Sequence, residues 1–176
     1  MPVQTQERIK KIRVDAIYGK KKHFNAADRK RSYQQYVSVT VIVVNVILGS
    51  ALFLYAKVAI PEEMKWIGGC LALCSAALTA LQSYFSWPKM VQGHCKIGAR
   101  YLSLAKNCSN TLAQKADGLI SDAQLVKQLE LLTKELSKVD ESANAYPTSK
   151  ADYRASQHGL SGGEENYSEL EINAGE

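Results

Sequence analysis

Charge is missing from two long stretches of this chain of 176 residues, although the whole chain carries 22 Lys and Arg and 17 Asp and Glu. No charged side chain occurs between Ser32 and Ala56, and none occurs between Trp66 and Pro88. Each stretch matches the roughly 20 apolar residues with which a helix crosses a bilayer. Because a surface helix of a soluble domain carries charge on its outer face, the pattern excludes an ordinary soluble fold and predicts two transmembrane helices.

Motifs for catalysis and cofactor binding are also missing. The sequence has no GxSxG, P-loop or HExxH motif, and no GxGxxG follows a strand. His23, His94 and His158 lie in three different segments without an evident Asp or Cys partner, and the four cysteines have no metal-ligand spacing. We therefore expect that the chain is not an enzyme and holds no cofactor or metal.

The distribution of charge predicts the topology of the two spans. Residues 1–31 carry a net charge of +7, residues 89–106 carry +4, and residues 107–176 carry −6. The basic segments therefore flank the outer ends of both spans, which is the position of cytoplasmic loops under the positive-inside rule. This predicts a helical hairpin with both termini in the cytoplasm, and it accounts for the basic character without direct nucleic-acid binding.

Segments outside the spans are predicted to be helical as well. Residues 7–18 have the apolar spacing of an amphipathic helix, which Gly19 and the three lysines after it are expected to interrupt. Residues 121–124 have the form of a capping box and are expected to open a helix. That helix carries leucines at spacings of 4, 3 and 4, namely Leu125, Leu129, Leu132 and Leu136. They are candidates for self-association in a coiled coil, or the helix folds back on residues 89–116 of the same chain.

The most informative polar residues lie inside the spans. They form one stripe on each predicted helix: Ser38, Asn45 and Gly49 on the first, and Ser75, Thr79, Gln82 and Ser86 on the second. A polar side chain in lipid costs free energy unless it finds a partner or water. The stripes therefore either pack the two helices together or line a pore, and a pore requires several hairpins because two helices cannot enclose a channel.

The sequence thus predicts an all-α membrane protein: a two-transmembrane helical hairpin with an N-terminal amphipathic helix and a C-terminal cytoplasmic helical hairpin or coiled coil. The expected segments, in chain order, are a basic cytoplasmic helical segment (1–31), transmembrane helix 1 (32–56), a short non-cytoplasmic connector (57–65), transmembrane helix 2 (66–88), cytoplasmic helices (89–143) and a mostly disordered acidic tail (144–176).

Several features together resemble the SLATT domains, which are two-transmembrane domains of bacterial conflict and antiphage systems. They are the segment YGKKKHFNAADRKRSYQQ before the first span, with His23 to Ala27 inside it, and the helix QGHCKIGARYLSLAKNCSNTLAQKA, with Gly98 to Tyr101, after the second. The resemblance covers roughly residues 5–155.

The resemblance implies a pore-forming or membrane-disrupting effector that forms a homo-oligomer in the bacterial inner membrane. It also implies a trigger, either a partner such as a nucleotidyltransferase or the nucleotide messenger that such a partner makes. The alternative is a non-catalytic membrane anchor or scaffold that recruits a cytoplasmic partner through its C-terminal helices.

Overall fold

Five helices make up the computed structural model, which describes residues 2–54 and 61–164. In chain order they are α1 (Pro2–Leu54), α2 (Glu62–Phe85), α3 (Trp87–Ala116), α4 (Asp122–Ala143) and α5 (Lys150–Ser161). These described ranges contain no strand. The chain divides into two compact units: a core unit of Met1–Ala27 with Gln92–Glu176, and an apolar unit of Asp28–Val91.

The core unit is built around an apolar interior to which α1, α3 and α4 contribute. Ile9, Ile12 and Ala16 of α1 are buried, at the spacing of three and four that places them on one helical face. The α3 positions with the same repeat are also buried: His94, Ile97, Tyr101, Leu104 and Cys108. Apolar burial of this kind is the main favourable contribution to the stability of a helical domain.

In the apolar unit, large apolar side chains of the type that is buried in the core unit are exposed. Ile42, Val46 and Ile47 of α1 are each more than half exposed, and so are Trp66 and Leu73 of α2. A soluble monomer rarely exposes a contiguous apolar surface of this size, whereas lipid is a good solvent for it. Both helices contain stretches long and apolar enough to cross a membrane, and we conclude that this unit associates with one.

Helix α1 continues through the position where the sequence predicts a break. Gly19 and Lys20 to Lys22 are helical, so the prediction of an interruption there is wrong. The absence of a side chain at Gly19 has a packing role, because an added Cβ would lie only 2.8 Å from the ring of Tyr101. Lys21 is buried and pairs with Glu164, which compensates its charge.

Helix α2 begins earlier than the sequence predicts. Residues 62–65 are its first turn rather than part of a connector, with Pro61 at the N-cap. Glu62 and Glu63 fit this position because carboxylates favour the positive end of the helix dipole. The remainder of the predicted connector up to residue 60 lies outside the described residues.

A single residue separates α2 from α3. Ser86 has φ 45° and ψ 39°, a left-handed conformation that is unusual for a residue other than glycine. Pro88 follows in the first turn of α3, where a missing N–H is tolerated. The helix of the second charge-free stretch therefore ends at Phe85, and a new helix begins at Trp87.

The prediction for the start of α4 is confirmed, and its leucines face inward. Ser121 and Gln124 form the predicted capping box. Leu125 and Leu132 are buried, and Leu129 and Leu136 pack partly buried against the same cluster. The burial of these side chains within one chain fits the fold-back alternative, and self-association through the four leucines stays a prediction.

The expectation of a mostly disordered tail after residue 144 is wrong for residues 150–161, which form α5. A second capping box starts this helix: the Ser149 side chain accepts from the Asp152 backbone N–H, and Asp152 accepts from the Ser149 N–H at 2.7 Å. Residues 165–176, the last part of the predicted tail, lie outside the described residues.

Candidate functional site

The polar stripes of the two apolar helices contact each other. Ser75 donates a hydrogen bond of 3.0 Å to Oδ1 of Asn45, and the Gln82 side-chain amide donates to Oγ of Ser38. Moving from Asn45 back to Ser38 in α1 corresponds to moving from Ser75 forward to Gln82 in α2, seven residues in each case. The two helices therefore run antiparallel along these contacts. We call these four residues the polar seam.

The remaining stripe residues have different environments. Thr79 donates to the backbone oxygen of Ser75, which satisfies its hydroxyl within α2. A Cβ added at Gly49 would meet no atom within 4 Å, so Gly49 is not a close-packing position in this structure. Ser86 forms the joint after α2 and contacts the Ser83 carbonyl at 3.4 Å. Of the seven predicted residues, Ser38, Asn45, Ser75 and Gln82 are therefore brought together.

A second polar contact, between two histidines, lies in the core unit and was not found from the sequence. The Nδ1 atoms of His23 on α1 and His94 on α3 are 3.1 Å apart, and the two side chains are 4% and 0% exposed. One ring must donate its Nδ1 proton to the other, because two unprotonated or two protonated nitrogens would repel each other at this distance. The two histidines lie in different segments of the sequence, and the fold brings them into contact.

The surroundings of this histidine pair keep His23 neutral. Its pKa falls to about 4, chiefly because burial disfavours the charged ring and also because His94 and Lys22 lie nearby. Asp152 acts in the opposite direction. The ring of Tyr101 lies 5.7 Å from that of His23, and the ring of Tyr146 packs edge-on against His94 at 5.8 Å. At neutral pH the ring of His23 is thus uncharged within this aromatic enclosure.

Helix α5 attaches to α1 next to the histidine pair. The side-chain amide of Asn25 donates to Oγ of Ser156 at 3.2 Å and lies 3.4 Å from the Asp152 carbonyl. Tyr18 and Tyr153 stack with their ring centroids 6.4 Å apart. Together with the Lys21–Glu164 ion pair, these contacts bind α5 along the last turns of α1 before the apolar unit begins.

Nothing in this arrangement resembles a metal centre or a reactive thiol. Within residues 2–54 and 61–164, no three His, Cys, Asp or Glu side chains are placed to hold a metal ion. The four cysteines, all within the described residues, form no disulfide, and Cys108 is fully buried. Burial raises the pKa of the Cys108 thiol to about 11, which makes it a poor nucleophile at neutral pH.

The fold and the polar seam define the class of all-helical membrane proteins with two candidate membrane-spanning helices. The chain belongs to the SMODS and SLOG-associating 2TM effector domain family 4, SLATT_4, whose model matches residues 5–171. This confirms the resemblance to the SLATT domains and extends it over nearly the whole chain. No curated protein and no solved structure shows a significant match to the chain.

Proposed function

We propose that the chain is a pore-forming or membrane-disrupting effector of a bacterial conflict or antiphage system. Family membership supports a membrane effector. The observation that supports a pore is the polar seam, which lies between two helices whose other faces are apolar and exposed. In the proposed orientation α1 and α2 form a hairpin in the inner membrane, with both termini in the cytoplasm. The chain acts without catalysis, cofactor or direct nucleic-acid binding.

Oligomerisation is a necessary part of this proposal. Two helices cannot enclose a channel, so several copies must assemble for Asn45 and Gln82 to surround water. Leu125 and Leu132 of α4 are buried within the chain and Leu129 and Leu136 are partly buried, so we assign the assembly contacts to the exposed faces of α1 and α2. The trigger is a defence-system partner, such as a nucleotidyltransferase, or the nucleotide messenger that it produces.

Leakage from vesicles tests whether the chain breaches membranes. We expect the reconstituted protein, in its triggered or highly concentrated state, to release a trapped small dye, and we expect Asn45→Leu to reduce the release. Thr40→Val is the matched control, because Thr40 is exposed on α1 and its hydroxyl bonds to the Tyr36 carbonyl of the same helix. Equal leakage from both variants and the unaltered protein would contradict a role of the polar seam in leakage.

Ion selectivity separates a pore-lining role from a packing role. If Gln82 faces the conducting pathway, Gln82→Glu adds a negative charge there and raises the permeability of cations relative to anions. Gln157→Glu makes the same chemical change on the exposed face of α5 and should leave the ratio unchanged. A conducting Gln82→Glu channel with unaltered selectivity would restrict Gln82 to helix packing.

The alternative function, a membrane anchor that recruits a partner, is favoured by a different observation. Three apolar side chains of the core unit are well exposed around the start of α4: Leu119 (72%), Val126 (47%) and Leu131 (54%). Exposed apolar groups of this kind suit a docking surface. In this case Val126→Ser with Leu131→Ser would abolish capture of the partner, while expression would leave the membrane potential unchanged.

A further inference from the structure

A cavity of about 580 Å³ lies in the core unit between α1, α3 and α5. Its apolar surface comes from all three helices and includes Ile17, Leu102 and Leu160. Arg13, Lys20 and Lys106 also line it, and no Asp or Glu does. The cavity is of the size that proteins use for small molecules, and it combines an apolar wall with positive charge of one sign.

The cavity is lined by basic side chains but by no acidic one. Three other basic side chains of the core unit pair with carboxylates: Lys10 with Glu7 at 2.7 Å, Arg100 with Glu135 at 3.3 Å and Lys115 with Asp122 at 2.6 Å. Within the part of the chain that the structure describes, Arg13 and Lys106 form no such pair. Like charges gathered around one cavity repel each other unless an anion neutralises them.

The two kinds of lining together restrict the ligand. An arginine guanidinium matches phosphate oxygens in a bidentate geometry, and a lysine ammonium adds a point charge to the same group. An apolar wall would not contribute to binding a bare inorganic anion, but it would bury the flat or aliphatic part of an organic one. Ser109 and Asn110 add hydroxyl and amide groups for a polar linker.

We propose that this cavity binds a phosphate-bearing small molecule that also has an aromatic or aliphatic part. Arg13 and Lys106 hold the phosphate, Lys20 adds to the positive field, and Leu160 contacts the apolar part. The proposal does not depend on pore formation. Because Leu160 belongs to α5, the bound molecule would also stabilise the attachment of α5 to α1, and it would do so by its own binding free energy.

Calorimetric titration of the full chain in phosphatidylcholine nanodiscs tests the proposal. The probes are adenosine monophosphate, which is a soluble phosphate with a flat group, dihexanoyl phosphatidic acid, which is a phosphate with aliphatic chains, and pyrophosphate. We expect one of the two organic probes to bind more tightly than pyrophosphate. Binding of the adenosine compound alone assigns the site to a soluble ligand, and binding of the phosphatidic acid alone assigns it to a lipid headgroup.

Variants locate the binding. Arg13→Glu and Lys106→Glu should each lower the affinity for the organic probe about tenfold or more. Each variant loses a charge-assisted hydrogen bond and adds repulsion between like charges. Lys127→Glu reverses an equally exposed charge on α4, away from the cavity, and should change affinity less than about twofold. Leu160→Ala should lower the affinity for the organic probe and leave the affinity for pyrophosphate unchanged.

Three results would overturn the proposal. The first is that no probe binds the unaltered chain below about 1 mM. The second is that Lys127→Glu weakens binding as much as the two cavity variants do, which would indicate diffuse surface charge. The third is that pyrophosphate binds as tightly as both organic probes, which would leave the apolar wall without a role. Helical content by circular dichroism, equal in all variants, ensures that weakened binding reflects the cavity.

Discussion

In the core unit the inward-facing side chains are mainly apolar and the outward ones are mainly charged, whereas in the apolar unit this order is inverted. The buried residue of α2 is a serine, Ser75, while Val46 and Trp66 are more than half exposed. The difference follows from the solvent. Water drives apolar groups inward, whereas lipid leaves the contact between helices to small and polar residues. Helices of the same geometry therefore contact each other through apolar side chains in the core unit and through polar ones in the apolar unit.

The histidine pair places two polar rings inside the core unit, next to the rings of Tyr101 and Tyr146. A buried polar contact is stable only when its hydrogen-bonding groups are satisfied and its charge is absent or compensated. The Nδ1 atoms of His23 and His94 satisfy each other, and His23 remains neutral. The stability of the core unit should therefore depend on pH through His23.

The largest predicted effect tests the apolar side of the comparison. Leu125→Ala should destabilise the core unit by about 2–5 kcal/mol, because Leu125 is fully buried and its loss leaves a cavity. Denaturant unfolding followed by circular dichroism measures this change. Leu131→Ala is the matched control on the same helix, where the side chain is 54% exposed, and it should cost well under about 1 kcal/mol.

The second prediction concerns pH. The pKa of His23 is about 4 in the folded chain and 6.5 without its surroundings, so the unfolded chain takes up the proton first as pH falls. Stability should be complete above pH 6.5 and decrease between pH 6.5 and 4. The loss from this group should reach about 3 kcal/mol and then stop.

Unfolding measured across this pH range checks the prediction. His23→Gln, which cannot titrate, should remove most of the slope. His158→Gln alters an exposed histidine of α5 and should preserve it. A slope that is equal in both variants would assign the pH dependence to other groups.

The third prediction tests the polar side of the comparison. Asn45→Leu and Ser75→Ala each break the same hydrogen bond, so the double variant should cost less than the sum of the two single ones. The coupling should be about 0.6–1.7 kcal/mol, the size found for hydrogen bonds between membrane helices. Unfolding in mixed detergent micelles gives the four free energies. Additive effects would show that the two side chains do not interact in the membrane.

The smallest predicted effect is at the edge of the core unit. Tyr101→Phe removes a hydrogen bond of 2.6 Å to Asp140 but keeps the ring, and Asp140 is exposed and can turn to water. The loss should be about 0.5–1.5 kcal/mol, and thermal unfolding can detect it. Tyr101→Ala should cost several times more because the ring is buried. Equal losses would mean that the hydroxyl contributes all of the stability at this position.

Periodicity and charge predicted the parts of the fold that depend on local sequence. The two apolar helices and the start of α4 follow from patterns within about 20 residues. The course of α1 through residues 19–22 did not follow, because Gly19 is compensated by packing against Tyr101 and the charge of Lys21 by Glu164, partners far away in the chain. Local propensity disfavours a helix at Gly19, and tertiary contacts outweigh it.

The histidine pair and α5 could not be predicted from the sequence for the same reason: both depend on contacts between distant parts of the chain. His23 and His94 are separated by 71 positions in the sequence, so no local pattern links them. Helix α5 is a polar segment whose stability comes from its capping box and from contacts with α1. The polar seam was predicted as a set of residues, but its pairing required the register of the two helices, which a single sequence does not encode locally.

Two glycines of the core unit impose a limit on how this sequence can diverge. A Cβ at Gly93 would overlap the ring of Tyr146, just as one at Gly19 would crowd Tyr101. Position 93 can therefore accept a larger residue only when residue 146 becomes smaller, and the same reciprocity links positions 19 and 101. In a set of related sequences, these two pairs should change together or not at all, so that each glycine is inherited with its tyrosine.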